Sequence, residues 1–378
     1  MNMKKMGVLV VSAAVAASLT ACSSSGSQSS QPNTGGSNNA TTPGAQTGAA
    51  GGGNATLING AGSTFVNPLF SKQFSEYQKD HTDIKVNYQS IGSGGGIKQL
   101  IAKTVDFGAS DAPMNAGETK SAGAEVLHIP VTLGGVAIAY NLPGVKDLKL
   151  TSQNIADIYN GKIKKWNDAS IAKNNPGAKL PAQDIFPVHR SDGSGTSFIF
   201  TSYLNAAAPA SWTKEQVGKS IKWANVGTGA KGNEGVAGQI QNTPGSIGYV
   251  ELAYVLQNNM TAAQVQNKDG QYVSPSLDTV SAAAAGALKN MPKDMKVSLV
   301  NESGKNSYPI VGTTWALVYA DNKDQAKTEK VVNLLKWCVT DGQKYATELQ
   351  YAPLPKQIQD LDIEQLKKVK ANGAAVLK

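Results

Sequence analysis

From residue 56 onward the apolar positions follow two alternating rhythms. In FVNPLFSKQFSEYQKD (65–80), Val66, Leu69, Phe70, Phe74 and Tyr77 recur at helical spacing, which predicts an amphipathic helix. TLING (56–60) and IKVNY (84–88), on either side of it, read as short strands. The order then repeats. GGIKQLIAKTV (95–105) predicts a helix starting after glycines, VDFGAS (105–110) a strand edge, and VLHIPVTLGGVAIAYN (126–141) two more strand-like runs. Further on, TSQNIADIYNG (151–161) predicts a short capped helix, and DIFPVHR (184–190) and GSIGYVE (245–251) predict strands. YPIVGTTWALVYA (308–320) is strongly strand-like, and KTEKVVNLLKWCVTDG (327–342) is a long amphipathic pattern. Cys338 falls inside that apolar pattern and reads as a small buried hydrophobe. Strands alternating with helices predict an α/β fold with a largely parallel sheet, whose ligands bind beyond the carboxyl ends of the strands. With 378 residues the chain exceeds one ordinary core, so two domains are expected.

The first 55 residues have a different texture. Residues 1–21 place Lys4 and Lys5 before an apolar run from Val8 to Ala17, the pattern of a signal peptide and too short to span a bilayer. Leu19-Thr20-Ala21-Cys22 resembles the lipobox of bacterial lipoproteins, which implies cleavage before Cys22 and a diacylglycerol on its sulfur. The alternative is a plain export signal followed by a stray cysteine. Residues 23–55 hold no charge and no aromatic ring. Such a segment cannot bury enough apolar surface to offset its chain entropy, so 22–55 is expected to be a lipid-anchored flexible linker.

Composition removes several classes of function. The net charge is +8, but no basic block or stripe concentrates it, so no nucleic-acid partner is expected. The two cysteines, Cys22 and Cys338, lie in unrelated contexts, which argues against a disulfide. His81, His128 and His189 are scattered without ligand spacing, so no metal site is expected. Neither a Walker motif nor a dinucleotide fingerprint is present, and no cofactor is expected.

Three stretches share one layout: NGAGSTF (59–65), QSIGSGGGIKQL (89–100) and HRSDGSGTSF (189–198). Each sets Gly, Ser and Thr between an expected strand and an expected helix, and each offers Ser or Thr as a helix N-cap. Helix starts carry free N–H donors at the positive end of the dipole, which suits an anion. A single such turn is commonplace; three in one α/β chain, one of them beside an arginine, point to a small tetrahedral oxyanion. The planar fork of Arg190 suits that ligand, and Asp192, two residues on, can hold it in place. From this motif alone, a surface Arg and Asp flanking a turn fit equally well. In DFGASDAPM (106–114), Asp111 reads either as a turn residue or as an acceptor for the proton that phosphate keeps near neutral pH and sulfate does not.

These segments, with IYNGKIKKWND and TPGSIGYVE, closely resemble the phosphate-binding proteins of bacterial high-affinity phosphate ABC importers, in order from about Leu57 to near the C-terminus. The resemblance implies a two-domain periplasmic-binding-protein fold of type II, with a ligand cleft and a hinge of crossing strands between the domains. It implies a first domain from 56–132 and 309–378 and a second from 133–308. It implies phosphate contacts from Thr64, Phe65, Ser93, Asp111, Arg190, Ser194, Gly195 and Thr196, with Asp192 supporting Arg190. The implied protein is an extracytoplasmic monomer that binds inorganic phosphate and hands it to membrane permease subunits served by a cytoplasmic ATPase. Two departures stand out. Ser93-Gly94-Gly95-Gly96 lacks a second serine frequent in the family, and Ser63 stands where alanine is common. A receptor for another oxyanion and a DING-like phosphatase are the competing readings. Asp111 argues against the first. Against the second, Asp at position 192 breaks the G-x-S-x-G pattern around Ser194.

Overall fold

Each apolar run expected to be a strand lies in one, although the two runs of 126–141 share a single strand. The computed structural model describes residues 55–224, 226–287 and 291–377. The expected signal peptide, Cys22 and nearly all of the 22–55 linker lie outside the described residues.

In chain order the first part runs β1 (Thr56–Gly62), α1 (Asn67–Asp80), β2 (Ile84–Ser90), α2 (Ser93–Ile101), β3 (Phe107–Ser110), α3 (Ala116–Ala122) and β4 (Val126–Tyr140). The middle holds β5 (Lys149–Leu150), α4 (Ser152–Tyr159), α5 (Ala169–Ala172), β6 (Phe186–Arg190), α6 (Gly195–Ala207), β7 (Thr228–Ala230), α7 (Gly232–Asn242), β8 (Ser246–Glu251) and α8 (Leu252–Gln257). Three short strands follow, β9 (Thr261–Ala262), β10 (Gln264–Gln266) and β11 (Tyr272–Val273), and then α9 (Leu277–Ala287). The chain returns through β12 (Val311–Tyr319), α10 (Gln325–Val339) and α11 (Lys356–Leu366).

The main sheet has the order β2-β1-β3-β12-β4-β8-β6-β7, with β9 added on β4. Its two wings are parallel: β1 pairs with β2 and β3, and β6 pairs with β7 and β8. Its centre is antiparallel, because β12 pairs with β3 and β4, and β4 with β8. The expected largely parallel sheet is therefore corrected to a mixed one. Helical crossovers enforce parallel pairing within each wing, but β12 enters from a distant part of the chain and runs the other way.

The two strand-like runs of 126–141 are one 15-residue strand, buried along nearly its whole length. Its first part pairs with β12 up to Gly135, and its second part pairs with β8 from Val136. Gly134 and Gly135 read as a break because glycine weakens a strand pattern, yet here glycine is needed. A Cβ at Gly134 would sit 2.5 Å from the Phe65 ring. Phe65 is fully buried, so its side chain belongs to the core, whatever its backbone does.

Both faces of the sheet are covered, which explains the near-continuous apolar strands. Ile58, Phe107 and Ile129 pack with Phe70 and Phe74 of α1 and Leu334 and Leu335 of α10. On the opposite face Ala61 and Leu317 pack with Ile97 and Leu100 of α2, and Val188 and Val250 with Val236 and Ile240 of α7. Cys338 is fully buried, and burial raises its thiol pKa, consistent with a packing role. Among the described residues no helix is long and apolar enough to cross a membrane.

Candidate functional site

The turn Ser63-Thr64-Phe65 leaves the carboxyl end of β1. Its three carbonyls are each held by a tyrosine: Tyr88 Oη donates to Ser63 O (2.8 Å), Tyr254 Oη to Thr64 O (2.6 Å) and Tyr351 Oη to Phe65 O (2.6 Å). Fixing all three carbonyls fixes the peptide planes of the turn. Ser63 Oγ accepts from the N–H groups of Phe65 (3.0 Å) and Val66 (3.4 Å). The N-cap of α1 is Val66, and that of α2 is Gly92 with φ 85°. Of the Ser or Thr caps expected at the three glycine-rich helix starts, only Ser194 is found, its hydroxyl accepting from Ser197 N–H. At the other two starts the nearby hydroxyls are committed elsewhere.

Asp111 follows the end of β3 and is 2 % exposed. Its Oδ1 accepts from the Ser63 hydroxyl and from Thr314 Oγ1 (2.7 Å). Thr314 comes from β12, at a shift of register between Thr314 and Trp315. Oδ2 accepts only a long bond from Ser93 Oγ (3.4 Å), so one carboxylate oxygen is left with free acceptor capacity. Burial pushes the Asp111 pKa up to about 6, against the hydrogen bonds of Ser63, Thr314 and Ser93 and the charge of Arg190. The group is mostly ionised at neutral pH, yet is held where ionisation is costly.

Opposite lies the loop that fills the space between β6 and α6. Arg190, the last residue of β6, is 3 % exposed. Its Nε and Nη2 make a bidentate pair with Asp192 (2.7 and 2.5 Å), and Nη1 reaches Thr196 Oγ1 (3.3 Å). Asp192 lies beyond the strand, so the bend and not strand periodicity brings it back. Burial alone would raise its pKa, but the Arg190 hydrogen bond and charge and the Gly232 N–H lower it overall. Ser93 Oγ ties the two sides together, accepting from the N–H groups of Asp111 and Gly195, both at 3.1 Å. Beside it Gly94 N–H donates to Gly193 O (2.8 Å). Ser194 and Thr196 are fully buried. The structure thus brings Thr64, Phe65, Ser93, Asp111, Arg190, Asp192, Ser194, Gly195 and Thr196 into one cluster at the carboxyl ends of the parallel strands.

Gly195 closes the cluster tightly. A Cβ there would lie 2.5 Å from both Asp111 Oδ2 and Ser93 Oγ. Gly195→Ala should favour the α6 helix by its propensity, yet it displaces the free carboxylate oxygen. We expect a folded protein that has lost anion binding by about 100-fold or more, checked by circular dichroism and titration calorimetry.

Residues 33–341 match the PBP superfamily domain. The chain is 46 % identical to the phosphate-binding protein PstS of Xylella fastidiosa (strain Temecula1) over 305 residues, covering 80 % of this chain and 82 % of that protein. It is also 46 % identical to PstS of Pasteurella multocida over 328 residues, covering 85 % and 94 %. The chain belongs to the PstS family of phosphate-binding proteins. Among solved structures, a high-affinity periplasmic phosphate-binding protein (PfluDING) superposes with TM-score 0.68 at 22 % identity, over 81 % of this chain and 92 % of that one. That likeness gives this PstS-family chain the two-domain periplasmic-binding-protein fold.

The structure adds residues that the sequence reading left out. Thr314 and the Ser63 hydroxyl hold Asp111, and Tyr249 Oη accepts Arg190 N–H (3.0 Å). Asn233, fully buried at the start of α7, reaches Thr64 and Thr196 at once. KGNEGV (231–236) is a fourth glycine-flanked helix start. It escaped notice because the strand before it, Thr228–Ala230, is three residues long and lacks large apolar side chains. Two cavities of about 410 and 390 Å³ flank α10 and contain none of the cluster residues, while a smaller one of about 230 Å³ is lined by Asp111 alone among them. Complementary polar groups mark the site, not its volume.

Proposed function

We propose that this chain is an extracytoplasmic receptor that captures inorganic phosphate in the cleft formed by this cluster and delivers it to a phosphate ABC transporter. It performs no chemistry on the anion. The observation that carries the reading is the pairing of one cation with one free acceptor. Arg190 with the loop N–H groups and hydroxyls would satisfy the oxyanion, while Asp111 would take the one proton that phosphate retains. In this reading Thr64, Phe65, Ser93, Asp111, Arg190, Ser194, Gly195 and Thr196 contact phosphate, and Asp192 holds Arg190.

The domains are assigned to 56–132 with 309–378, and to 133–308, so that the chain crosses between them within β4 and again just before β12. The division of β4 pairing at Gly135 and Val136 supports that boundary. Closure would bring Thr64, Ser93 and Asp111 of the first domain against Arg190, Ser194 and Thr196 of the second. The curated relatives named above are phosphate-binding proteins, which supports phosphate over other oxyanions.

The decisive test is titration calorimetry on ligand-stripped protein at neutral pH. Tight one-to-one binding of phosphate with no heat from sulfate supports the reading. Equal binding of both anions removes the role given to Asp111, and binding of neither refutes the receptor function.

The receptor would act as a monomer, tethered by a lipidated Cys22 through the charge-free linker to the outer face of the membrane that holds its permease pair and ATPase. Two or more acyl chains give a stable anchor where one gives a marginal one. Cys22→Ala is expected to move the protein from the membrane fraction to the soluble fraction. Unchanged fractionation would rule out lipid anchoring.

A further inference from the structure

A hydroxyl can donate one hydrogen bond and accept two, and its proton turns to whatever acceptor remains. Thr64 Oγ1 accepts from the Asn233 backbone N–H (3.1 Å) and from Asn233 Nδ2 (2.8 Å). Thr196 Oγ1 accepts from Arg190 Nη1 (3.3 Å) and from the same Asn233 Nδ2 (3.1 Å). Both hydroxyls therefore have their acceptor positions filled by protein donors. The amide itself cannot flip, because Asn233 Oδ1 accepts from Glu251 N–H (3.0 Å), and that donor requires an oxygen. Asn233 is fully buried, so no solvent competes for these bonds.

We infer that Asn233 is a positioning residue that forces the Thr64 and Thr196 hydroxyls, one on each side of the cleft, to aim their protons at the bound anion. This inference rests on the reading of Thr64 and Thr196 as phosphate contacts. Its consequence is a division of labour. Asn233 turns two ambivalent hydroxyls into obligate donors and leaves Asp111 as the acceptor. A neutral amide does this without adding charge. An aspartate of the same shape would do the opposite: its second oxygen would draw both threonine protons away from the ligand.

The test compares Asn233→Asp, Asn233→Ala and wild type for phosphate affinity by calorimetry, across pH 5 to 8. Asn233→Asp keeps the acceptor for Glu251 N–H, and its phosphate affinity at pH 8 is expected to fall by about 100-fold or more, because two donors are lost and a like charge is added. Affinity relative to wild type should recover as pH falls and the new carboxyl protonates, a reversal that a folding defect would not show. Asn233→Ala removes the constraint without adding charge, and should cost only about tenfold. In a Thr64→Val, Thr196→Val background the alanine substitution should add less than about twofold, since Asn233 acts through those hydroxyls. Wild-type affinity in Asn233→Asp would overturn the inference. So would an undiminished effect of Asn233→Ala in the double-valine background, which remains decisive if Asn233→Asp does not fold. Failure of wild type to bind phosphate would instead refute the receptor reading itself.

Discussion

Arg190→Ala should weaken phosphate binding by about two to four orders of magnitude, the loss expected when one partner of a buried, hydrogen-bonded charge pair is removed. Arg190 is the only cation in the proposed cage, and its side chain is 1 % exposed. Water cannot replace it, and no lysine stands among the other contacts. The substitution also strips Asp192 of its bidentate partner, leaving Gly232 N–H at 3.1 Å. A buried carboxylate without its cation destabilises the fold by about 3–5 kcal/mol in a fully buried case, and somewhat less here, where Asp192 is 12 % exposed. Lost binding could then be confused with lost structure. Arg190→Ala combined with Asp192→Asn separates them. The double variant should regain thermal stability and still fail to bind, whereas recovery of binding would refute the role of Arg190. Arg190→Lys should fall between, because a single ammonium cannot pair with Asp192 through two nitrogens and also reach Thr196.

The sequence held a sharper clue to this residue than the loop around it. The chain carries 35 Lys and Arg residues, and Arg190 is the only arginine. A protein that uses lysine for every other positive charge places its one guanidinium where planar, bidentate geometry matters. Asp111 was legible for a different reason. A carboxylate after a strand of small residues reads first as a turn residue, and it was the neighbouring glycine-rich turns that offered the acceptor reading beside it. Asn233 was not legible, since an asparagine in a helical first turn looks like many others, and its role depends on Thr64 and Thr196 arriving from distant segments. Ser63 was seen only as a departure from the family pattern, although its hydroxyl is one of the bonds that ionised Asp111 requires. The sheet followed the same logic. Local apolar rhythm predicted the longer strands of the main sheet but not the three-residue β7, and the antiparallel centre depends on where β12 inserts, about which local pattern carries no information. The long strand β4 was split in two because Gly134 and Gly135 look like a break until the Phe65 ring is seen against Gly134 and the Val280 side chain against Gly135.

Asp111→Asn should make the ligand-free protein more stable at neutral pH while blunting its choice of anion. The stability effect follows from the sign of the pKa shift. The carboxyl titrates near 6 in the folded chain against 3.8 for the unperturbed group. Between those values the folded state holds a proton that the unfolded state has released, so stability falls as pH rises from about 4 to about 6 and the loss persists above that. A shift of this size corresponds to at most ~3 kcal/mol. The difference in urea midpoint between Asp111→Asn and wild type should therefore be near zero at pH 4, open through pH 6 and stay constant to pH 8. A flat difference would mean that Asp111 is not held in a buried, costly ionised state. The binding effect is the counterpart. In the proposed site ionised Asp111 would repel sulfate, which has no proton to give it, at a cost of ~1–3 kcal/mol or more for the unmatched charged acceptor. Asparagine keeps the bonds from Ser63 and Thr314 through its oxygen and presents N–H where Oδ2 had stood. Sulfate binding should appear at pH 7 in the variant, with a smaller loss of phosphate affinity. In wild type, sulfate binding should emerge only as pH falls below about 6, when Asp111 itself becomes a donor. On this proposal the lower stability of the ligand-free protein and the selectivity of the site would be two results of one buried charge, and a variant that relieves the first while leaving the second intact would break that link.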